Sequence, residues 1–404
     1  IFKQVLEGSD GREISTTMAF VRILSALVKD KRIGKRVVPI VPDEARTFGM
    51  DGLFPQAGIY SPAGQRYKPV DANTIAPYRE AEDGQIMQEG ICETGAMASF
   101  LAAGTAYANH GLPMIPFYIF YSMFGFQRIA DLAWLAGDAR CKGFLLGATA
   151  GRTTLAGEGL QHQDGHGIVM ALTIPNLVAY DPAYAFELAL IIKDGIRRMY
   201  IENEQVYYYI TLLNENYAQP AMPEGVEEGI LKGMYKFQSS DKAQAQILGS
   251  GAIMPEAVKA AELLKETYGI ETNVWSVTSY KNLINDAQDA ARETVRNGNT
   301  AKAYVAECLE NETGPVIAVS DYMKILPESL GQYVPGGIVS LGTDGFGRSD
   351  GRRALRKHFE VDFNTIAWSV LSSLASKGEF DKKKLEKARK ELGIDSDKPN
   401  PVGE

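Results

Sequence analysis

The chain has 404 residues, 45% hydrophobic and 23% charged, with a formal charge of −8. That length builds two or three domains with real cores, and the modest, scattered acidity leaves no basic stripe for a nucleic acid partner. No uncharged apolar run reaches the ~18–20 residues that a membrane span needs.

Three cysteines, Cys92, Cys141 and Cys308, lie far apart. They read as reduced thiols of a cytoplasmic compartment, not as a disulfide framework. The first residue is Ile1 and no targeting sequence precedes it, so the chain is expected to be part of something longer.

In chain order, "RVVPIVPDEA", "LPMIPFYIFYSMF", "GFLLGATAG", "NLVAYDP" and "QVYYYITLLN" read as strands that are apolar on both faces. Helices alternate with them over 95–109, over 127–136 and in "AYAFELALIIKDGIRRM". Such alternation predicts an α/β fold on a parallel sheet covered on both sides. The stretch "NENYAQPAMPEGVEEG" reads as a linker. After it the pattern restarts in "AQAQILGSGAIMPEAVKAAELLKETYGI", "ETNVWSV" and "PVIAVSD", so two α/β domains are expected, over 1–220 and 221–404. The charged stretch 377–400 reads as a solvated helix followed by loose ends. Residues 59–85 show no periodicity, and a loop that long is functional or disordered.

Metal and phosphate signatures are weak. "GSGAIMPEA" lacks the third glycine of a dinucleotide fingerprint, and no Walker loop, CxxC pair or HExxH occurs. No three of the four histidines are spaced as a metal cage, so no metal ligands are assigned to this chain.

The richest loop is "GRTTLAGEGLQHQDGHG", with His162, His166, Glu158 and Asp164 directly after a buried strand, where α/β sheets place their sites. In "PFYIFYSMFGFQR", Tyr118 and Phe120 read as strand core, while Tyr121 to Arg128 mark the strand end, where a flat ligand can stack. Glu93 opens a helix of small and apolar residues, with no Lys or Arg within several positions. On the residues alone it is either a helix-start carboxylate favoured by the dipole or a buried proton carrier.

The segments "VVPIVPDEARTFGMDGLF", "PFYIFYSMFGFQRIADL", "GRTTLAGEGLQHQDGH", "AYDPAYAFELA", "YYYITLLNENY" and "LGTDGFGRSD" carry a specific resemblance. With them the chain resembles, essentially end to end, the pyrimidine-binding and transketolase C-terminal-like domains of homodimeric-type pyruvate dehydrogenase E1 components. The resemblance implies two parallel-sheet α/β domains of the transketolase-like thiamine-diphosphate-binding type. It implies oxidative decarboxylation of pyruvate and acetylation of the lipoyl domain of the E2 acetyltransferase, by a cytoplasmic homodimer.

It also implies roles for single residues. Glu93 would hydrogen-bond the N1′ nitrogen of the cofactor's aminopyrimidine, and Tyr121 and Phe124 would form the aromatic wall against it, with Arg128 close by. His162 would face the substrate, Asp43 and Glu44 would support the same pocket, and Glu158 would lie in a loop near the dimer interface. The loop after Ile59 would be a mobile active-site loop, and "GTDGFGRSD" a structural turn.

One departure stands out. Such enzymes anchor the diphosphate through Mg²⁺ on a domain carrying Gly-Asp-Gly, and this chain has none; "AGDARC" lacks the second glycine. The diphosphate-binding domain is expected before Ile1 or on a separate subunit, and the chain alone is expected to be inactive. Rival readings are a transketolase, a branched-chain 2-oxo acid dehydrogenase E1 β-type subunit, or a non-catalytic assembly subunit.

Overall fold

The computed structural model describes residues 2–42, 45–157, 159–298 and 300–403. The chain divides into two compact units. The first comprises 1–150, 170–178 and 184–222, and the second 151–169, 179–183 and 223–404.

The first unit carries a sheet of six strands, of whose last strand it holds Leu177 and Val178. In spatial order they are Met87–Gln88, Val37–Val41, Ile115–Tyr121, Phe144–Ala148, Tyr207–Leu212 and Leu177–Tyr180. The four pairings from Met87–Gln88 across to Tyr207–Leu212 are all parallel. The central strands are buried along nearly their whole length, as expected of apolar runs covered on both faces. Phe117 and Phe144 stack at 4.7 Å between neighbouring strands. Burying one such ring is worth roughly 1.5–3 kcal/mol.

Three consecutive tyrosines, Tyr207, Tyr208 and Tyr209, are fully buried, yet each hydroxyl finds a polar partner. Tyr207 donates to the Ala133 carbonyl at 2.6 Å, Tyr208 meets Arg198 at 3.1 Å, and Tyr209 lies 3.2 Å from the Ser122 hydroxyl. Large aromatic rings therefore fill this core without stranding their polar tips.

The helices match the alternation but differ in extent. Glu93–Asn109 and Phe126–Asp138 each begin earlier than the periodicity indicates, and Ala185–Ile196 runs on into a wider turn over Arg197–Ile201. A further helix, Thr16–Lys29, is capped by Ser15, whose hydroxyl accepts from Met18 N at 3.1 Å, and packs on Ala185–Ile196. Residues 59–85 are not without structure. Ile59–Tyr60 pairs with Glu80–Ala81, Arg46 bonds Asp71, and Tyr67 and Tyr78 both reach Glu80.

The expected linker is built in as well. Tyr217–Ala218 pairs antiparallel with Glu13–Ile14, and the buried Gln219 donates to the Ile14 carbonyl at 2.8 Å. Pro and polar residues made this stretch look unbound, but its backbone completes a small ladder.

The second unit has a five-stranded sheet in the order Met234–Gln238, Thr272–Val277, Ala245–Gly249, Val316–Val319 and Val339–Leu341. All its pairings are parallel except that of Met234–Gln238, which runs antiparallel to Thr272–Val277. Helices Met254–Leu263 and Phe363–Ser376 pack together. The charged stretch does form a mostly exposed helix, Lys382–Glu391, started by the Asp381 carboxylate. Its continuation is not loose. Lys398 donates to the carbonyls of Lys357 and His358, and Pro401 is buried. Both units are parallel-sheet α/β bodies, as the sequence predicts. Among the described residues no helix is long and apolar enough to cross a membrane.

Candidate active site

Glu93 is the first residue of its helix and only 6% exposed. The preceding Cys92 caps the helix, its Sγ accepting from Gly95 N at 3.4 Å. An anion at a helix start is favoured by the aligned peptide dipoles. The cation that local sequence withholds comes from another helix: Arg128 Nη1 lies 2.8 Å from both Oε1 and Oε2 of Glu93. One nitrogen serves both oxygens, so each keeps a lone-pair direction for another donor. Tyr118 donates to the Glu93 carbonyl at 3.1 Å. Burial, and secondarily the Glu93 charge, hold the Tyr118 phenol far above its ordinary range.

The turn that delivers Arg128 also delivers the aromatics. Strand Ile115–Tyr121 ends in a tight turn over Ser122–Phe124, and helix Phe126–Asp138 starts directly after it. The Arg128 guanidinium lies 4.2 Å from the Phe124 ring centre. Phe124 meets Tyr121 edge-on at 6.0 Å, and Tyr121 rests on the buried Phe48 at 5.4 Å. Tyr121 and Phe124 are half-buried, whereas Tyr118 and Phe120 are fully buried. Glu93, Tyr121, Phe124 and Arg128 thus form one cluster at a strand's C-terminal end, a buried anion beside a partly open aromatic surface.

His162 ends the short turn Leu160–His162 and belongs to the second unit. It is half-buried, and its backbone N–H donates to the Gly159 carbonyl at 3.0 Å. The neighbouring Asp164 is fully buried and accepts from His166 N at 2.9 Å and Gly167 N at 2.7 Å. His166 Nδ1 lies 3.7 Å from the same carboxylate. Across the loop, Arg152 is held by the carbonyls of Thr343 and Gly345, and burial lowers its proton affinity from the ordinary arginine value. Asp43, Glu44 and Glu158 lie outside the described residues.

Sequence reasoning missed the Glu93–Arg128 pair, the Phe48 support behind Tyr121, and the buried Gln163. Only Arg128 carried a signal, its place in "GFQR" at a strand end; nothing local links it to Glu93. Among the described residues no group of three or more His, Cys, Asp or Glu side chains is placed to hold a metal.

Comparison with known proteins is extensive. Residues 1–220 match the family model of the pyruvate dehydrogenase E1 component middle domain, and 233–362 that of the transketolase-like C-terminal domain. The chain is 56% identical over 406 aligned positions to the pyruvate dehydrogenase E1 component of Pseudomonas aeruginosa, covering 99% of this chain and 46% of that protein. To the same component of Escherichia coli K12 it is 54% identical, covering 99% and 45%. The chain therefore spans about half the length of the curated relatives it matches. Among solved structures, the transketolase of Campylobacter jejuni superposes with a TM-score of 0.67 at 18% identity, over 92% of this chain and 49% of that one. That likeness identifies the transketolase-like fold. By sequence, the chain belongs to the pyruvate dehydrogenase E1 component family.

Proposed function

We propose that this chain is the pyrimidine-binding and C-terminal part of a pyruvate dehydrogenase E1. In this reading the assembled enzyme decarboxylates pyruvate oxidatively with thiamine diphosphate and passes the acetyl group to the lipoyl domain of an E2 acetyltransferase. The observation that carries the proposal is the cluster of Glu93, Arg128, Phe124 and Tyr121, in a chain of the E1 family.

The residues suit the aminopyrimidine of that cofactor. It needs a buried carboxyl group with an unused acceptor direction and a flat apolar wall, and Glu93 with Tyr121 and Phe124 offers both. The metal–diphosphate end has no matching donor set among the described residues, so no step is assigned to Mg²⁺ here. That anchor is proposed for the remainder of the enzyme, in the same polypeptide or a partner subunit, within a homodimer.

When bound, thiamine diphosphate supplies the nucleophilic carbon and the electron sink for loss of CO2. Glu93, buried at the start of its helix, would hydrogen-bond the ring nitrogen N1′ and hold a proton there. Arg128 holds the Glu93 carboxylate in place from one side. Tyr121 and Phe124 orient the ring and exclude water. His162 would donate a proton to the carbonyl oxygen of pyruvate or attract its carboxylate.

The test compares the 404-residue chain with the complete enzyme. The chain alone should bind thiamine diphosphate weakly and leave pyruvate untouched. The complete enzyme with Mg²⁺ should release CO2 from pyruvate and acetylate a free lipoyl domain. Turnover of sugar phosphates in place of pyruvate would make it a transketolase, and turnover by the chain alone would reject the division of labour.

A further inference from the structure

The turn Gly342–Asp350 reads from sequence as structural only, yet it grips the loop that carries His162. Gln163, 1% exposed, makes two hydrogen bonds to the backbone of one residue of that turn. Its Nε2 donates to the Arg348 carbonyl at 2.6 Å, and its Oε1 accepts from Arg348 N at 2.8 Å. A side-chain amide supplies a donor and an acceptor in one plane, so this pairing fixes both the position and the orientation of the group.

The approach is close because residue 347 is glycine. A Cβ there would sit 2.6 Å from Gln163 Oε1 and 2.9 Å from the Leu160 carbonyl oxygen. The turn therefore presses on both flanks of Leu160–His162. More stitches follow along the loop. Gly157 N donates to the Asp350 carbonyl at 3.0 Å, Arg352 Nε to the Thr154 carbonyl at 2.6 Å, and Met323 N to the Gly165 carbonyl at 2.8 Å. Between these fixed points His162 stays half-buried, on a loop with little freedom left.

We propose that Gln163, locked to Arg348 across Gly347, is a positioning residue that sets where the His162 imidazole stands. The proposal rests on the reading of His162 as the substrate-facing histidine. Placement of a proton-transferring group matters at this scale, because a misplacement of about 1 Å costs roughly 10²-fold in rate.

The experiment uses the complete enzyme with Gln163→Leu, Gln163→Glu and Gly347→Ala, alone and combined with His162→Ala. Gln163→Glu keeps the size and one acceptor, so it guards against simple misfolding of the leucine variant. Each single variant should lower kcat for pyruvate by up to roughly 10²-fold, with KM and thiamine diphosphate affinity little changed. Added to His162→Ala, each should cost nothing more, because a residue acting through His162 has nothing left to act on.

A second readout needs no turnover. Diethyl pyrocarbonate should modify His162 several-fold faster in the Gln163 variants, read peptide by peptide by mass spectrometry, while His166 keeps its rate. Unchanged His162 modification, or losses that add in full to that of His162→Ala, would overturn the positioning role. Full turnover by His162→Ala would instead reject the functional reading of His162, and the modification rates would still decide whether Gln163 places the ring.

Discussion

A single guanidinium nitrogen of Arg128 lies 2.8 Å from each carboxylate oxygen of Glu93, joining the starts of two helices 35 residues apart in the chain. The pair is lopsided: the glutamate side chain is 7% exposed and the arginine 47%. A buried anion is thus paired with a half-exposed cation.

Replacing Glu93 by Gln tests what that carboxylate does. The amide has nearly the same shape, so the fold should survive, but it cannot share a proton with a ring nitrogen. In the complete enzyme, exchange of the cofactor's C2 proton with deuterium should slow by roughly 10²-fold or more, the scale of a lost acid–base group. Unaltered exchange would reduce Glu93 to a helix-start residue.

The ion pair itself is expected to add modestly to stability. Half-exposed arginines are screened by water, so Arg128→Met should cost about 1 kcal/mol in a denaturant titration. Arg128→Lys keeps the charge but not the planar face lying 4.2 Å from Phe124, and should recover only part of the loss. In the double variant with Glu93→Gln most of the penalty should vanish, since no buried charge is then left behind. A penalty that persists would point to packing, not charge.

His162 and His166 should behave differently. His166 sits against Asp164, the buried acceptor that organises its own loop. In the complete enzyme, His162→Ala should lower pyruvate turnover by roughly 10²–10⁴-fold with cofactor affinity nearly intact. His166→Ala should cost much less. Equal losses, or a His162 defect confined to cofactor binding, would reject the assignment.

Lys281 supplies a pH dependence of stability. The side chain is 1% exposed, and burial pushes it from an ordinary 10.5 down to about 7. Between those two values the unfolded chain holds a proton that the folded chain does not, so stability should rise with pH across that window. Lys281→Met removes this contribution. The difference in melting temperature between variant and parent should favour the variant near pH 6 and shrink as pH approaches 10. A constant difference would mean that Lys281 keeps its charge in the fold.

Much of the architecture was legible in the residues. Strands apolar on both faces, such as Ile115–Tyr121 and Tyr207–Leu212, can only be central in a covered parallel sheet. Glu93 at the opening of a small-residue helix and the histidine loop after a buried strand were equally plain. These are local patterns, and hydrophobic periodicity reports local environment.

What the chain order could not reveal depends on which distant segments meet. Met234–Gln238 is a short, partly exposed strand that becomes one by pairing antiparallel with Thr272–Val277. The supposed linker is ordered by its ladder with Glu13–Ile14, roughly two hundred residues away. Arg128 finds Glu93 because strand Ile115–Tyr121 turns sharply into the next helix, and Gln163 finds Arg348 because Gly347 lets two backbones approach. Sequence alone determined the class of fold and named the residues of the candidate site. Only tertiary structure decided their partners, because hydrogen bonds and ion pairs act over a few ångströms and the chain path alone brings such distant groups within reach.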